Sequence, residues 1–276
     1  MPELPEVEIA RRSLVRWLGG TRVVRAVADP EARTFRGADP RLFAKLKGEL
    51  VGTERRGKYL LVAFSGGYGA LLHLGMTGKF VRRPKGHEER WSRARFELDD
   101  GNVIHFRDPR LFGRIHPAKG SLEELRALPP FGDLGVDPLI DGLDARSLEE
   151  AVGRSKQDLK VALMDQARVA GLGNIHAAEA LFRAGLHPAR KPQTLSAPEW
   201  RKLAKGIGDS IAFALADAEG ADEIEYVEEP GAENPFHIYG RAGEPCGRCK
   251  TKVQSLTQGG RTTHFCPTCQ PEGPKG

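Results

Sequence analysis

All four cysteines of this 276-residue chain lie in one short segment near its C-terminal end. They form two C-x2-C pairs, Cys246/Cys249 and Cys266/Cys269, which are separated by sixteen residues. This double spacing is typical of a tetrahedral zinc site whose two pairs flank a β-hairpin. We predict one structural Zn²⁺, because four thiolates leave no position for a substrate; two disulfides or redox-active cysteines are the alternatives. Zinc binding would drive the folding of so small a module.

The segment between the cysteine pairs also carries Arg261, directly after Gly259-Gly260, which is suited to binding phosphate. The net charge is +5, and residues 241–276 contribute +4 of it through six basic and two acidic side chains. This basic tail favours a polyanionic partner. Residues 217–233 carry eight acidic residues and no Lys or Arg, which we interpret as a solvated face.

The chain shows no apolar run of the roughly 18 residues that a membrane helix needs. Its acidic start also lacks the basic and apolar regions of a signal peptide. We therefore expect a cytoplasmic protein with no membrane partner, processed only by loss of Met1.

Hydrophobic periodicity predicts an α+β, multidomain fold. A helix begins near Pro5 and ends at Gly19-Gly20, and antiparallel strands follow, with a hairpin turn at Asp100-Gly101. After a linker at 129–132, the pattern is helical. The predicted strands are 22–29, 59–64, 94–98 and 103–106, and the predicted later helices are 148–152, 159–165, 175–184 and 198–218. The predicted domains are 1–130 (helix and antiparallel β-sandwich), 131–238 (helical) and 239–276 (zinc-finger β-hairpin).

The N-terminus is a candidate catalytic group. Methionine before proline is generally removed, which would leave Pro2 with a free secondary amine. An α-amino group has a pKa of about 8, so part of it is neutral at pH 7 and can attack a sugar C1′ to form a Schiff base. Glu3 and Glu6 could transfer protons beside it. On these residues alone, a disordered tail with two surface glutamates is the alternative.

Residues 2–8 resemble the catalytic start of the formamidopyrimidine-DNA glycosylase (Fpg) family. Further motifs are similar to segments of that family, in the family's order. They are Arg56-Gly57-Lys58-Tyr59-Leu60, His73-Leu74-Gly75-Met76-Thr77-Gly78, Asp108-Pro109-Arg110-Leu111-Phe112-Gly113, a helix–two-turn–helix from Asp165 to Pro188, and Tyr239-Gly240-Arg241 with the zinc module to Gln270. The resemblance implies that residues 131–238 form a DNA-binding helix–two-turn–helix domain.

The resemblance also implies roles for single residues. Pro2 would be the nucleophile, Glu3 the general acid and Glu6 an assisting carboxylate. Lys58 would act at the lesion or its phosphate, although an exposed surface lysine is the alternative when it is taken alone. No catalytic metal or organic cofactor is expected.

The remaining implied residues contact DNA. Met76, Arg110 and Phe112 would fill the gap left by a flipped nucleotide, although Met and Phe are more often core residues. Asn174, at the start of a helix after two glycines, and Arg261 would bind phosphates, although a plain helix cap explains Asn174 equally. Lys160 matches a lysine near the lesion pocket. The expected partner of this monomer is damaged double-stranded DNA.

The implied activity is base-excision repair by a bifunctional glycosylase/AP lyase. It would remove oxidised purines (formamidopyrimidines and 8-oxoguanine) and then cleave the strand by β,δ-elimination. The sister endonuclease VIII type, which prefers oxidised pyrimidines, and a non-enzymatic nucleic-acid-binding zinc ribbon are the alternatives. Two departures from the family are Leu111, in place of a common basic residue, and a shorter, acidic, proline-containing loop between Tyr226 and Tyr239. We expect this loop to cover the base less and to broaden the lesion range.

Overall fold

The structure is a computed structural model that describes residues 2–29, 31–218, 220–221 and 223–273. Met1, whose removal the sequence predicts, lies outside these residues. The chain forms two compact units, Met1–Asp133 with Ala218–Pro230 and Leu134–Asp217 with Gly231–Gly276. A short segment after the last long helix therefore belongs to the N-terminal unit, which the sequence pattern does not indicate.

The first unit contains a long helix, eight strands and a short helix. These are α1 Leu4–Leu18, β1 Arg22–Ala28, β2 Gly48–Arg56, β3 Tyr59–Phe64, β4 Tyr68–His73, β5 Lys79–Pro84, β6 Ser92–Leu98, β7 Asn102–Arg107, β8 Arg114–Lys119 and α2 Leu122–Leu125. Three 3-10 turns lie at Arg33–Phe35, Pro40–Lys45 and Phe131–Asp133.

The strands form one antiparallel sheet in the order β5-β7-β6-β1-β2-β3-β4-β8. Only two residue pairs, Arg22↔Glu49 and Val23↔Gly48, join β1 to β2, so the sheet consists of two four-stranded halves. The Phe96 ring of β6 lies 5.4 Å from the Phe64 ring of β3. The halves therefore pack face to face, as the predicted β-sandwich requires.

Helix α1 follows directly from its sequence. Pro5 lies in the first turn, where its missing N–H costs no hydrogen bond. Leu4, Val7 and Leu14 recur at helical spacing and are at most 1% exposed. Burying each such side chain contributes about 2 kcal/mol. Gly19 ends the helix, so its predicted extent is confirmed.

The second unit contains four helices and a hairpin: α3 Ala145–Val152, α4 Leu159–Leu163, α5 Asn174–Ala184, α6 Ala197–Asp217, β9 Gln254–Gln258 and β10 Arg261–Phe265. The helix predicted to continue to Asp165 ends at Leu163, because Met164 closes it with a 3-10-like turn. Helices α5 and α6 approach closely at Gly206, where a Cβ atom would lie 2.6 Å from the Ala180 carbonyl oxygen.

The hairpin turn consists of Gly259 and Gly260, whose φ angles are +53° and +72°. Two left-handed residues in succession are what a type I′ two-residue turn needs, and Arg261 pairs with Gln258 across it. Phe182 of α5 packs against Ile238, Val253 and two buried cysteines, so the module shares a small apolar cluster with a helix. Within the described residues, no helix combines the length and apolar character that crossing a membrane would demand.

Candidate active site and metal centre

The N-terminal residues are buried rather than arranged as a surface tail. Pro2 is buried, and Glu3 is completely inaccessible at the position immediately before α1. The Glu3 backbone N–H donates to Oε2 of Glu6 at 2.8 Å. The Glu6 carboxyl group therefore binds the backbone that carries Pro2 and Glu3, and it holds the three residues in one arrangement.

A partly buried ion-pair cluster connects α1 to the turn that carries Lys58. Glu8 pairs with Arg11 at 2.8 Å, with Arg12 at 2.9 Å and with Arg55 at 3.3 Å. Burial raises the pKa of Glu8, but hydrogen bonds from Arg11 and Arg12 outweigh it, and the net pKa is lowered. Arg55 is 3% exposed, and its Nη1 donates to the Gly57 carbonyl at 3.0 Å. The sequence alone does not predict that Arg55 connects Glu8 to Gly57, although Glu8 and Gly57 belong to the motifs that resemble the family.

Lys58 is half-buried in the turn between β2 and β3. The following residue, Tyr59, pairs with His73 across β3 and β4. Burial, together with the charges of Lys58 and Arg114, lowers the pKa of His73 to about 4. His73 is therefore neutral at pH 7, and its Nδ1 accepts the backbone N–H of Gly75 at 3.1 Å.

The three predicted gap-filling residues lie on two loops that contact each other. Phe112 is 47% exposed, and the Arg110 guanidinium lies 5.0 Å from its ring centre. Leu111 between them has a φ of +59°, a strained value for this residue type. Gly75, which precedes the half-buried Met76, packs so closely that a Cβ atom would lie 2.4 Å from the Phe112 carbonyl carbon. Because nearly half of its surface is exposed, Phe112 is not a core residue, in contrast to the usual place of a phenylalanine.

Residues 223–230, which follow α6 and belong to the first unit, are bound to β5. Ile224 and Tyr226 are buried, and the Tyr226 hydroxyl donates to the Gly78 carbonyl at 2.6 Å. Lys79 Nζ donates to the Ile224 carbonyl and pairs with Glu229 at 2.9 Å. Burial and the nearby carboxyl groups hold the pKa of Tyr226 well above its usual range. Glu229 is thus paired and not a free repulsive charge.

In the second unit, Lys160 is completely buried and connects three elements of that unit. Its Nζ donates to Oγ1 of Thr263 at 2.8 Å and to Oδ1 of Asn174. The Asn174 Nδ2 donates to the Thr262 carbonyl at 3.0 Å. Gly173 is the helix N-cap, so Asn174 is the first residue of α5 and not the cap. Arg261 is exposed at the start of β10.

The cysteine cluster has the geometry of a zinc centre. The four Sγ atoms lie within 4.8 Å of one another, and the four cysteines are free thiols, which excludes the disulfide alternative. A tetrahedral Zn²⁺ with ordinary Zn–S bonds requires sulfur–sulfur separations of about 3.8 Å. The Cys249–Cys266 and Cys246–Cys269 separations are 3.4 and 3.9 Å. The cluster is suited to one structural zinc.

Three family descriptions match successive parts of the chain. The formamidopyrimidine-DNA glycosylase N-terminal domain matches residues 1–115, and the formamidopyrimidine-DNA glycosylase H2TH domain matches residues 134–224. A zinc finger found in FPG and IleRS matches residues 243–271.

Individual proteins resemble the chain over nearly its full length. A formamidopyrimidine-DNA glycosylase of Laribacter hongkongensis is 40% identical over 275 residues, which cover 98% of this chain and 100% of the relative. The crystal structure of the MutM (Fpg) protein from Thermus thermophilus superposes with a TM-score of 0.80 at 35% identity, covering 99% of this chain and 100% of that one. A complex between the Lactococcus lactis Fpg and an abasic site containing DNA gives a TM-score of 0.83 at 28% identity, with 98% and 100% covered.

Proposed function

The chain belongs to the formamidopyrimidine-DNA glycosylase family, and from this premise we propose that it removes oxidised purines from double-stranded DNA and cleaves the resulting abasic site. The observation that carries the proposal is the buried arrangement of Pro2 and Glu3 at the start of α1, with Glu6 bound to their backbone. The positive end of the α1 dipole disfavours a proton on the nearby Pro2 nitrogen, which favours the neutral, nucleophilic amine. We further propose that the protein acts as a monomer in the cytoplasm, on nucleoid DNA.

The proposed chemistry begins at the sugar C1′ of the everted nucleotide. The Pro2 lone pair forms a bond to C1′, the bond from C1′ to the base breaks, and the base departs with that electron pair. The Pro2 nitrogen loses its proton, and the departing base takes up one proton. Glu3 protonates the ring oxygen as the sugar opens, which leaves a Schiff base between Pro2 and C1′. The cationic Schiff base acidifies C2′. Loss of that proton expels the 3′ phosphate, and a second elimination expels the 5′ phosphate.

Two groups of residues are proposed to hold the DNA. Asn174, the backbone amides at the start of α5 and the exposed Arg261 bind phosphates, because a helix N-terminus and a guanidinium both favour anions. Lys58 supplies a positive charge at the lesion or its phosphate. Met76, Arg110 and Phe112 fill the gap left by the everted nucleotide and offset the cost of unstacking it.

The lesion range is proposed to be broader than in relatives with a longer loop. Residues 223–230 are bound through Tyr226 and the Lys79–Glu229 pair, and Pro230 and Pro235 remove backbone donors from the loop. Fewer amides are then available to contact the edge of an everted 8-oxoguanine. Formamidopyrimidines and abasic sites should be processed well, because the chemistry at C1′ depends on Pro2 and Glu3.

A panel of duplexes, each carrying one oxidised purine, one oxidised pyrimidine or an abasic site, tests this function. Pro2→Gly should severely reduce base excision and borohydride trapping while DNA binding survives. Pro40→Gly, a change at another proline of the same unit, is the matched control. Strong preference for oxidised pyrimidines would favour the endonuclease VIII type. Normal trapping by a protein that retains Met1, verified by mass, would rule out Pro2 as nucleophile.

A further inference from the structure

Asp108 is a fully buried residue of a recognised motif to which the proposed mechanism gives no role. Its Oδ1 accepts the Thr77 hydroxyl at 2.8 Å and the Arg110 backbone N–H at 3.3 Å. Its Oδ2 accepts the Gly113 backbone N–H at 2.7 Å. Thr77 directly follows Met76, whereas Arg110 and Gly113 lie on either side of Phe112. One carboxyl group therefore binds both loops that carry the gap-filling residues.

The sheet fixes the position of this carboxyl group. The Asp108 backbone N–H donates to the Trp91 carbonyl at 3.0 Å, and its own carbonyl accepts from Nε of Arg93 at 3.0 Å. Asp108 directly follows β7, Trp91 immediately precedes the neighbouring strand β6, and Arg93 lies in β6. The backbone of Asp108 is thus held by the paired strands β6 and β7, and its carboxyl group holds the two loops in a fixed position relative to these strands.

The Met76 loop has little freedom to move separately from the Phe112 loop. Gly75 has a φ of +71°, and a Cβ atom there would lie within 2.6 Å of backbone atoms of Phe112 and Gly113. Its N–H is held by Nδ1 of His73. Any displacement of one loop therefore strains the hydrogen bond between Thr77 and Asp108.

We propose that Thr77 and Asp108 are positioning residues that hold Met76, Arg110 and Phe112 as one rigid wedge for base eversion. This inference rests on the proposed function. Neither residue needs to touch DNA: Asp108 is inaccessible, and it acts through the backbone of Arg110 and Gly113. A wedge on ordered loops loses less conformational entropy when it enters the base stack than one on mobile loops would.

The test compares two reactions of the same protein. Thr77→Val removes the hydroxyl with little change of shape, Thr77→Ser restores it, and Thr21→Val removes a comparable hydroxyl, bonded to the Trp17 carbonyl, elsewhere in the unit. We expect Thr77→Val to slow single-turnover excision of a damaged base about ten-fold and to change cleavage at a preformed abasic site by less than about two-fold. An abasic site has no base to unstack, so it depends less on the wedge.

Fluorescence of 2-aminopurine placed beside the lesion provides a second readout, because wedge insertion unstacks it. Thr77→Val should delay this signal, whereas Thr77→Ser and Thr21→Val should follow the wild type. Equal losses in excision and abasic-site cleavage, or no loss in either, would overturn the positioning role. If the wild type neither excises nor cleaves, the proposed function itself fails and the inference fails with it; if the wild type acts and Thr77→Val matches Thr21→Val, only the inference fails.

Discussion

The neutral state of His73 makes a quantitative prediction about the region beside Lys58. The pKa of His73 falls from 6.5 to about 4, first because the ring is buried and then because Lys58 and Arg114 repel a further positive charge. Between pH 6.5 and pH 4 the His73 ring is protonated in the unfolded chain but stays neutral in the folded protein. This contribution to stability is therefore fully present above pH 6.5 and is lost as the pH falls towards 4.

The size of the effect follows from the two pKa values. At about 1.4 kcal/mol for each pH unit, the loss at pH 4 relative to pH 8 is about 3 kcal/mol. Urea unfolding of the wild type and of His73→Gln, which cannot titrate, should diverge by this amount as the pH is lowered. NMR titration of the histidine ring signals, with His73→Gln identifying the signal, measures the pKa directly.

Replacing the neighbouring cation tests the part of the effect that comes from Lys58. Lys58→Met should raise the pKa of His73 but leave it below 6.5, because burial remains the largest cause. Lys119→Met, which neutralises an exposed lysine of the same unit, should leave the pKa unchanged. A His73 pKa near 6.5 in the wild type, or an unchanged value in Lys58→Met, would refute the arrangement.

Three further predictions concern the zinc, the phosphates and the loop. Cys249→Ser should release the zinc, unfold the finger and abolish DNA binding. Metal analysis and a DNA-binding assay measure these effects, and full zinc content in this variant would contradict the predicted zinc site. Arg261→Ala should weaken binding to damaged and undamaged DNA alike, and the DNA affinity should fall less steeply with salt, by about one phosphate contact. The control Arg146→Ala should leave both unchanged. An unchanged salt dependence in Arg261→Ala would count against phosphate binding by Arg261. A longer, glycine-rich loop between Tyr226 and Tyr239 should raise single-turnover excision of 8-oxoguanine relative to formamidopyrimidines; strong 8-oxoguanine preference that extension does not alter would oppose the proposed role of the loop.

Elements with strong local signals are predictable from this sequence. Helix α1, the β6–β7 hairpin at Asp100-Gly101 and the finger hairpin each carry their own caps, turns or ligand spacing. The sequence pattern does not predict β2, β4, β5 or β8. In β2 the buried side chain near the end is a charged residue, Arg55, and β8 contains Pro117, which is tolerated because β8 is an edge strand.

The candidate site likewise contains residues that the sequence predicts and contacts that it does not. Motifs predict Pro2, Glu3 and the cysteines as candidates, because the proposed chemistry and metal binding belong to these side chains and termini themselves. The supporting contacts join residues that are far apart in sequence, such as Lys79 with Glu229 and Lys160 with Thr263, and only the folded chain reveals them. Lys160 is a further example: the family resemblance predicts a lysine near the lesion pocket, and the folded chain adds that its buried side chain connects α4 with α5 and β10.

The most direct test of the proposed chemistry is to identify the atom that binds the sugar. The protein is incubated with a damaged duplex in the presence of borohydride, and the trapped complex is digested and mapped by mass spectrometry. We expect a reduced sugar adduct on the N-terminal peptide, attached to the amine of Pro2, with Met1 absent. An adduct on Lys58 or on any other lysine, or no adduct on a duplex that the protein binds, would contradict the assignment of Pro2 as nucleophile.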